Sequence, residues 1–187
     1  MADNRLPPGQ VRTHKWPVLD LGDQPVIDRR DWSLSVGGMV SRPIKWSWKD
    51  FMAQPQISSV SDIHCVTQWS RFDNRWEGIG AKTLLEAVQP DPEASHLMLR
   101  SYDGYSTNLP LADFDDEDVI LAHSWEGEPL TREHGGPVRV IVPKLYFWKS
   151  AKWLRHITFT NQDIPGTWEA QGYHMRGDPW KEERYDD

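Results

Sequence analysis

The residues best suited to chemistry lie in S-S-V-S-D-I-H-C-V-T-Q-W-S-R, positions 58–71, which holds Cys65, the one cysteine among 187 residues. A lone cysteine can serve as a small apolar filler. As a nucleophile it needs a base and an orienting group, and seven histidines supply candidates without any recognisable spacing. As a thiolate it suits a soft metal whose other ligands come from elsewhere, because one cysteine cannot close a site. His64 and Cys65 do not make a zinc pair, since strand neighbours point to opposite faces. A single thiolate is enough when an organic cofactor brings the remaining ligands.

A second constellation is H-G-G-P-V-R-V-I-V-P-K-L-Y-F-W-K-S-A-K-W-L-R, residues 134–155. Here an apolar strand is flanked by His134, Arg139, Lys144, Lys149, Lys152 and Arg155. The net charge is -7, so an anionic ligand must be held by local groups against the field of the whole chain. Arg139 alternates with Val138 and Val140 and therefore faces away from them. Two placements are open. One is the solvated face of an edge strand. The other is an anion pocket, with the backbone around Ser150–Lys152 and the Lys152 ammonium, suited to a phosphate.

The elements that must position these groups read as α+β, with more strand than helix. Strands are expected over Asp31–Met39, Pro43–Trp46, Ile57–Val66, His96–Ser101, Tyr105–Leu109, Val119–Ser124, Pro137–Val142 and His156–Thr160. Ser47 with Asp50 signals a short capped helix over Trp48–Ala53. Ala81, Leu84, Leu85 and Val88 fall at helical spacing over Ala81–Gln89, which Pro90 stops. Gly78–Gly80 reads as a loop, Glu126–Glu128 as a hairpin turn and Trp148–Leu154 as a helical turn. One domain is expected over 1–187, with a core at about 10–160 and a tail, 161–187, docked on it.

Composition excludes several classes. Hydrophobic residues make up 38% and charged residues 26%, as in soluble globular chains. No run is apolar enough for a transmembrane helix. The start shows neither an apolar leader nor a twin-arginine pattern, so a cytoplasmic address is expected. The acidic balance argues against nucleic-acid binding. One cysteine rules out an internal disulfide framework. Eleven tryptophans need partners for their N–H groups, which implies polar edges to the core or a deep lined pocket.

D-I-H-C-V-T-Q-W-S and H-G-G-P-V-R-V-I-V-P-x-L-Y-x-W-K-S-A-K-W-L together resemble the sulfite oxidase family of molybdopterin-dependent oxidoreductases. The likeness extends to V-R-T-H-K-W-P-V-L (11–19), W-S-L-S-V-G-G (32–38) and D-G-Y-S-T-N-L-P-L (103–111). It implies a sulfite oxidase-type molybdopterin-binding fold of mixed strands and short helices. Cys65 would then bind molybdenum, with two further sulfurs from the pterin dithiolene. Arg12, Thr13 and His14 correspond to pterin and phosphate contacts, with Thr13 standing where the family usually has Asn. The mid-chain contact falls on Ser101 or Asp103. His134, Arg139, Ser150, Ala151 and Lys152 complete the cofactor set.

Sulfite-oxidising members follow the cysteine with A-G-N-R-R. Here V-T-Q-W-S-R is closer to bacterial methionine sulfoxide reductase catalytic subunits, and Arg71 is the candidate for reaching a substrate oxygen. From the length, no immunoglobulin-like dimerisation domain or haem domain is expected, as in the short sulfite oxidase-like members that the resemblance points to. The resemblance therefore implies oxygen-atom transfer to or from a small S-oxide, N-oxide or sulfite-like substrate. Trp69 and Trp76 are expected to shape the pocket, and electrons would pass to a separate partner. A binding module that keeps the fold without the chemistry, and a thiol hydrolase using Cys65 with His64 or His134, are the alternatives.

Overall fold

The computed structural model describes residues 4–186; the outermost residues of the expected 1–187 domain lie outside that range. Among the described residues, two sheets and three short α-helices carry the fold. The first sheet is built on β5 (Trp69–Gly80), the longest strand at 12 residues. One edge of β5 pairs antiparallel with β4 (Ile57–His64). Its other edge takes β1 (Val11–Arg12) in parallel at Trp69 and Ser70, and β8 (Ile120–Trp125) antiparallel further along. β9 (Glu128–Pro129) and β10 (Arg139–Ile141) both pair with β8. The second sheet runs β3 (Ile44–Ser47), β2 (Ser33–Gly38), β11 (Leu154–Thr160), β6 (His96–Ser101) and β7 (Ser106–Pro110). Its one parallel pair is β2 with β11.

The local signals act as elementary chemistry requires. Ser47 Oγ accepts from the Asp50 amide at 3.2 Å, and Asp50 Oδ2 accepts from the Ser47 amide at 2.9 Å. This reciprocal box starts α1 (Trp48–Met52) by satisfying donors the helix leaves free. α2 (Ala81–Val88) buries Ala81, Leu84 and Val88 and ends where Gln89 turns left-handed before Pro90. α3 is the single turn Leu111–Phe114. Asp103-Gly104 closes the β6–β7 hairpin, with Gly104 at φ +90°, a conformation glycine adopts without Cβ strain.

Four expectations are corrected. Gly78–Gly80 is not a loop but the end of β5, at a register shift against β8. A Cβ on Gly78 would lie 1.9 Å from the Leu121 carbonyl oxygen, so this residue is where two backbones approach closely. The strand expected over Pro137–Val142 pairs only through Arg139–Ile141. The helical turn near Trp148 is one 3-10 turn, Phe147–Lys149, and β11 already starts at Leu154. Finally, β4 stops at His64, leaving Cys65 at the head of a tight turn into β5.

The main core lies between the sheets and joins Leu34, Leu97, Ile157 and Phe159 to Ile79, Leu121 and Val140. A second, smaller cluster of Ile63, Trp76, Ile120 and Ile141 packs with Trp16, Trp69, Trp125 and Phe147. Of these aromatic residues, Trp16, Trp69 and Phe147 also line the cavity described next. Trp76, expected to line a pocket, is fully buried in that cluster, and its indole donates to Ser61 Oγ at 3.0 Å.

Candidate functional site

The turn carrying Cys65 is fixed from several sides. The Cys65 amide donates to the Trp69 carbonyl at 2.9 Å, and the Gln68 amide donates to the Cys65 carbonyl at 3.0 Å. Gln10 Nε2 reaches the carbonyls of Cys65 and Trp69 at 3.0 and 2.9 Å. Cys65 is 5% exposed, and its Sγ lies 3.0 Å from Thr67 Oγ1. Burial pushes the thiol up from its ordinary value, although the Thr67 hydroxyl and amide and the Arg184 charge oppose this. His64 does not face the thiol. Its Nδ1 sits 2.8 Å from Ser70 Oγ, and the ring borders a separate hollow with Asp62 and Lys144. A protonated thiol without an adjacent base is not an activated nucleophile, which removes the support for a hydrolase using His64.

Cys65 opens on a cavity of about 340 Å³. Of the residues singled out from sequence, Cys65, Ser101, Asp103, His134, Arg139, Ser150, Ala151 and Lys152 all line it, as does Trp69. Thus both Ser101 and Asp103 reach the same space. Arg12, Thr13, His14 and Arg71 do not line it. The Arg12 guanidinium lies 4.8 Å over the Phe72 ring, and the Thr13 amide donates to the Ser70 carbonyl at 2.8 Å. His14 is exposed, and its carbonyl accepts from Arg71 Nε at 3.3 Å. Arg71 also bonds Asn74 and stacks 4.7 Å over Trp125.

Arg139 is 2% exposed, so the edge-strand solvent placement is excluded. Its NH1 and NH2 donate to the carbonyls of His134 and Ser150 at 2.9 and 2.7 Å. Burial lowers its pKa to about 9, opposed by Tyr105. Lys152 is lowered to about 8, chiefly by burial and then by the Arg139 charge. His134 stacks on Trp16 at 3.7 Å between ring centroids. It is held near 4 by burial, then by the charges of Arg139 and Lys152. Lys152 Nζ donates to the Glu133 carbonyl at 2.9 Å, and the charges of Asp20, Asp103 and Glu133 only partly offset its loss of charge stability, so this pair of cations in a partly dry hollow suits an anion.

Three buried polar atoms on cavity-lining residues have no hydrogen-bond partner among the described residues: Arg139 Nε, Ser101 Oγ and Trp69 Nε1. Native chains seldom leave such groups unpaired, since each forfeits its desolvation cost. They fit a bound polar group. Among the described residues no three His, Cys, Asp or Glu side chains gather to hold a metal. The donor set is therefore one soft sulfur, a cationic end and orphaned donors. This suits a cofactor that brings its own sulfurs and a phosphate, as molybdopterin does.

A family model described as "Oxidoreductase molybdopterin binding domain" matches residues 21–168. The chain belongs to this family. It is an oxidoreductase whose cofactor is molybdopterin with molybdenum, within the sulfite oxidase group. It is 50% identical over 182 residues to the uncharacterized oxidoreductase YuiH of Bacillus subtilis (strain 168), covering 97% of this chain and 92% of YuiH. It is 30% identical to the putative protein-methionine-sulfoxide reductase subunit YedZ1 of Azospira oryzae, covering 83% of this chain and 60% of that one. The fold matches the sulfane dehydrogenase SoxCD from Paracoccus pantotrophus at TM-score 0.69 and 20% identity, over 80% of this chain and 42% of that one. The chain thus spans nearly all of YuiH but less than two thirds of the other two. No described helix is long and apolar enough to cross a membrane.

Sequence reading missed several wall residues. Trp16, Phe147, Trp148, Trp168 and Tyr173 also line the cavity. Trp168 and Tyr173 come from the tail and stack on each other at 5.2 Å. A buried pair ties the tail down: Lys149 Nζ lies 2.7 Å from Glu169 Oε1, both side chains fully buried. The excess of tryptophan implied a lined pocket without saying which residues would form it.

Proposed function

We propose that this protein transfers an oxygen atom to or from a small neutral S-oxide or N-oxide, or the corresponding sulfide or amine, at a molybdenum held by Cys65 and by the dithiolene of molybdopterin. The observation that carries this reading is the shared cavity, with a lone buried thiol and the Arg139–Lys152 cationic cluster opening on one hollow. Arg139, Lys152, Ser101 and the backbone at Ser150–Ala151 would receive the phosphate and pterin polar groups. When bound, the cofactor supplies a metal that cycles between states two electrons apart, the capacity that oxygen-atom exchange needs.

The chain's own residues then select the substrate. Lining residues next to Cys65 in sequence are Val66, Thr67 and Trp69, and the aromatic walls are Phe147, Trp148, Trp168 and Tyr173. Apart from the cofactor-side cations, this wall offers no positive group, and Arg71 is engaged with His14 and Asn74. A dianion such as sulfite would enter without a partner, whereas a neutral oxide loses little on desolvation. Reducing such an oxide consumes two electrons and two protons and releases water. The electrons come from a separate protein or small carrier, since a single cysteine cannot build a relay.

The test is direct. Protein from a molybdenum-replete host should carry close to one molybdenum and one pterin per chain, and turn over S-oxides or N-oxides with a reduced viologen dye. Cys65→Ser should abolish turnover while the fold is retained. Undiminished turnover in Cys65→Ser, or folded wild-type protein free of pterin, would overturn the proposal. Sulfite oxidation at rates matching the oxides would overturn the neutral-substrate half.

A further inference from the structure

Arg184, in the tail, lies 118 positions from the residue it serves. Its NH1 donates to the Val66 carbonyl at 2.6 Å, within the turn that presents Cys65. Its NH2 donates to Gln10 Oε1 at 2.8 Å. Gln10 in turn uses its amide nitrogen on the carbonyls of Cys65 and Trp69 and on Ser70 Oγ, at 3.0, 2.9 and 3.1 Å. The guanidinium rests 5.0 Å over the Tyr146 ring. Gly9 completes the clamp, because a Cβ there would meet Arg184 NH2 at 3.0 Å and Glu182 Oε1 at 2.9 Å. Two remote segments, one at Gln10 and one at Arg184, therefore converge on one short turn.

A turn held only by its own amides would leave the Val66 carbonyl free to rotate, and the thiol with it. A planar fork that bonds Val66 and the Gln10 amide together fixes both sides of the turn at once. Outer groups of this kind orient metal ligands, and their loss typically weakens a site about 10–100-fold. From this geometry we infer that Arg184 is a positioning residue for the metal-ligand turn, so that the tail is a working part of the molybdenum site. The inference rests on the reading of Cys65 as the molybdenum ligand.

The experiment compares wild-type protein with Arg184→Gln, Arg184→Lys and Arg176→Gln, all full length. Arg176 anchors the same tail through Asp113, at 2.9 and 3.1 Å, and makes no contact with the turn. Molybdenum per chain, the paramagnetic Mo(V) signal and the alkylation rate of Cys65 in cofactor-free protein are measured beside the melting curve. Arg184→Gln should lose metal affinity by about tenfold, shift the Mo(V) signal in the residual loaded fraction and speed alkylation. Arg184→Lys, which keeps one donor, should recover part of each, and Arg176→Gln should resemble wild type in all three.

Wild-type metal content and an unshifted signal in folded Arg184→Gln would overturn the role of Arg184 while leaving Cys65 as ligand. Equal losses in Arg176→Gln would also overturn it, by assigning the effect to tail docking in general. Should Arg184→Gln not fold, the signal of Arg184→Lys decides: an unshifted signal refutes the inference and a shifted one supports it. Wild-type protein without molybdenum would refute the underlying reading and this inference together.

Discussion

Acidifying the cofactor-free protein from about pH 7.5 to about pH 5 should destabilise it through His134. Its side chain is 14% exposed, stacks on Trp16, and faces the charges of Arg139 and Lys152. Burial first, then those charges, lowers it from 6.5 to about 4. In the unfolded chain the imidazole protonates first, so between the two values the proton stabilises the unfolded ensemble. Stability is complete above 6.5 and drains away as the pH falls from there towards 4. At about 1.36 kcal/mol per tenfold change the whole window is worth about 3.4 kcal/mol, and by pH 5 about 2 kcal/mol. Water entering from the cavity side reduces this to between about 1 and 2 kcal/mol.

His64, His123 and His156 are also lowered and push the same way, so a double difference isolates His134. Urea unfolding, followed by tryptophan fluorescence, would be measured for wild type and His134→Gln at both pH values. The variant should show about 1–2 kcal/mol less pH dependence, a sizeable share of a typical domain's 5–15 kcal/mol. Equal pH dependence in the two proteins would refute the reasoning, because it would mean that neither burial nor the neighbouring cations hold His134 below its ordinary value. With the cofactor bound, its negative charge beside Arg139 and Lys152 should raise His134 again, so the loaded protein should be the less acid-sensitive form.

Arg139→Met should fold but release the cofactor. Losing one or more charge-assisted hydrogen bonds of about 1.5–3 kcal/mol each weakens retention by about tenfold to 150-fold, read as pterin fluorescence per chain after dilution. A full complement in the folded variant would contradict this. Lys152, lowered to about 8, loses its charge as the pH rises through that value. Cofactor retention should therefore fall between about pH 7 and about pH 9, and Lys152→Gln should flatten the profile. Gly78→Ala forces a Cβ to within 1.9 Å of the Leu121 carbonyl, so it should lower unfolding stability by about 2–4 kcal/mol. An unchanged melting temperature would show that the β5–β8 contact yields freely.

How much of this was legible in the sequence depends on which atoms act. Cys65, Arg139 and Lys152 stand out because the proposed chemistry lies in their side chains, and a thiol or a cation inside an apolar run is rare enough to notice. The helices α1 and α2 were legible for a similar reason: a capping box and helical apolar spacing are local. β5, the backbone of the first sheet, was not. Its inward positions include Ser70 and Asn74, both fully buried, and Asp73 adopts φ +56° in mid-strand. The apolar alternation that marks a strand is therefore broken where β5 meets the site. Those polar residues are there because Ser70 accepts from Gln10 and Asn74 accepts from Arg71. These polar pairs, of which Ser70 with Gln10 belongs to the network on the cysteine turn, thus erase the pattern that would have revealed the strand. Arg184 was hidden more completely, for its main target is the backbone carbonyl of Val66. Every residue carries such a carbonyl, so this contact imposes no residue type at position 66 and leaves nothing to read until the chain is folded.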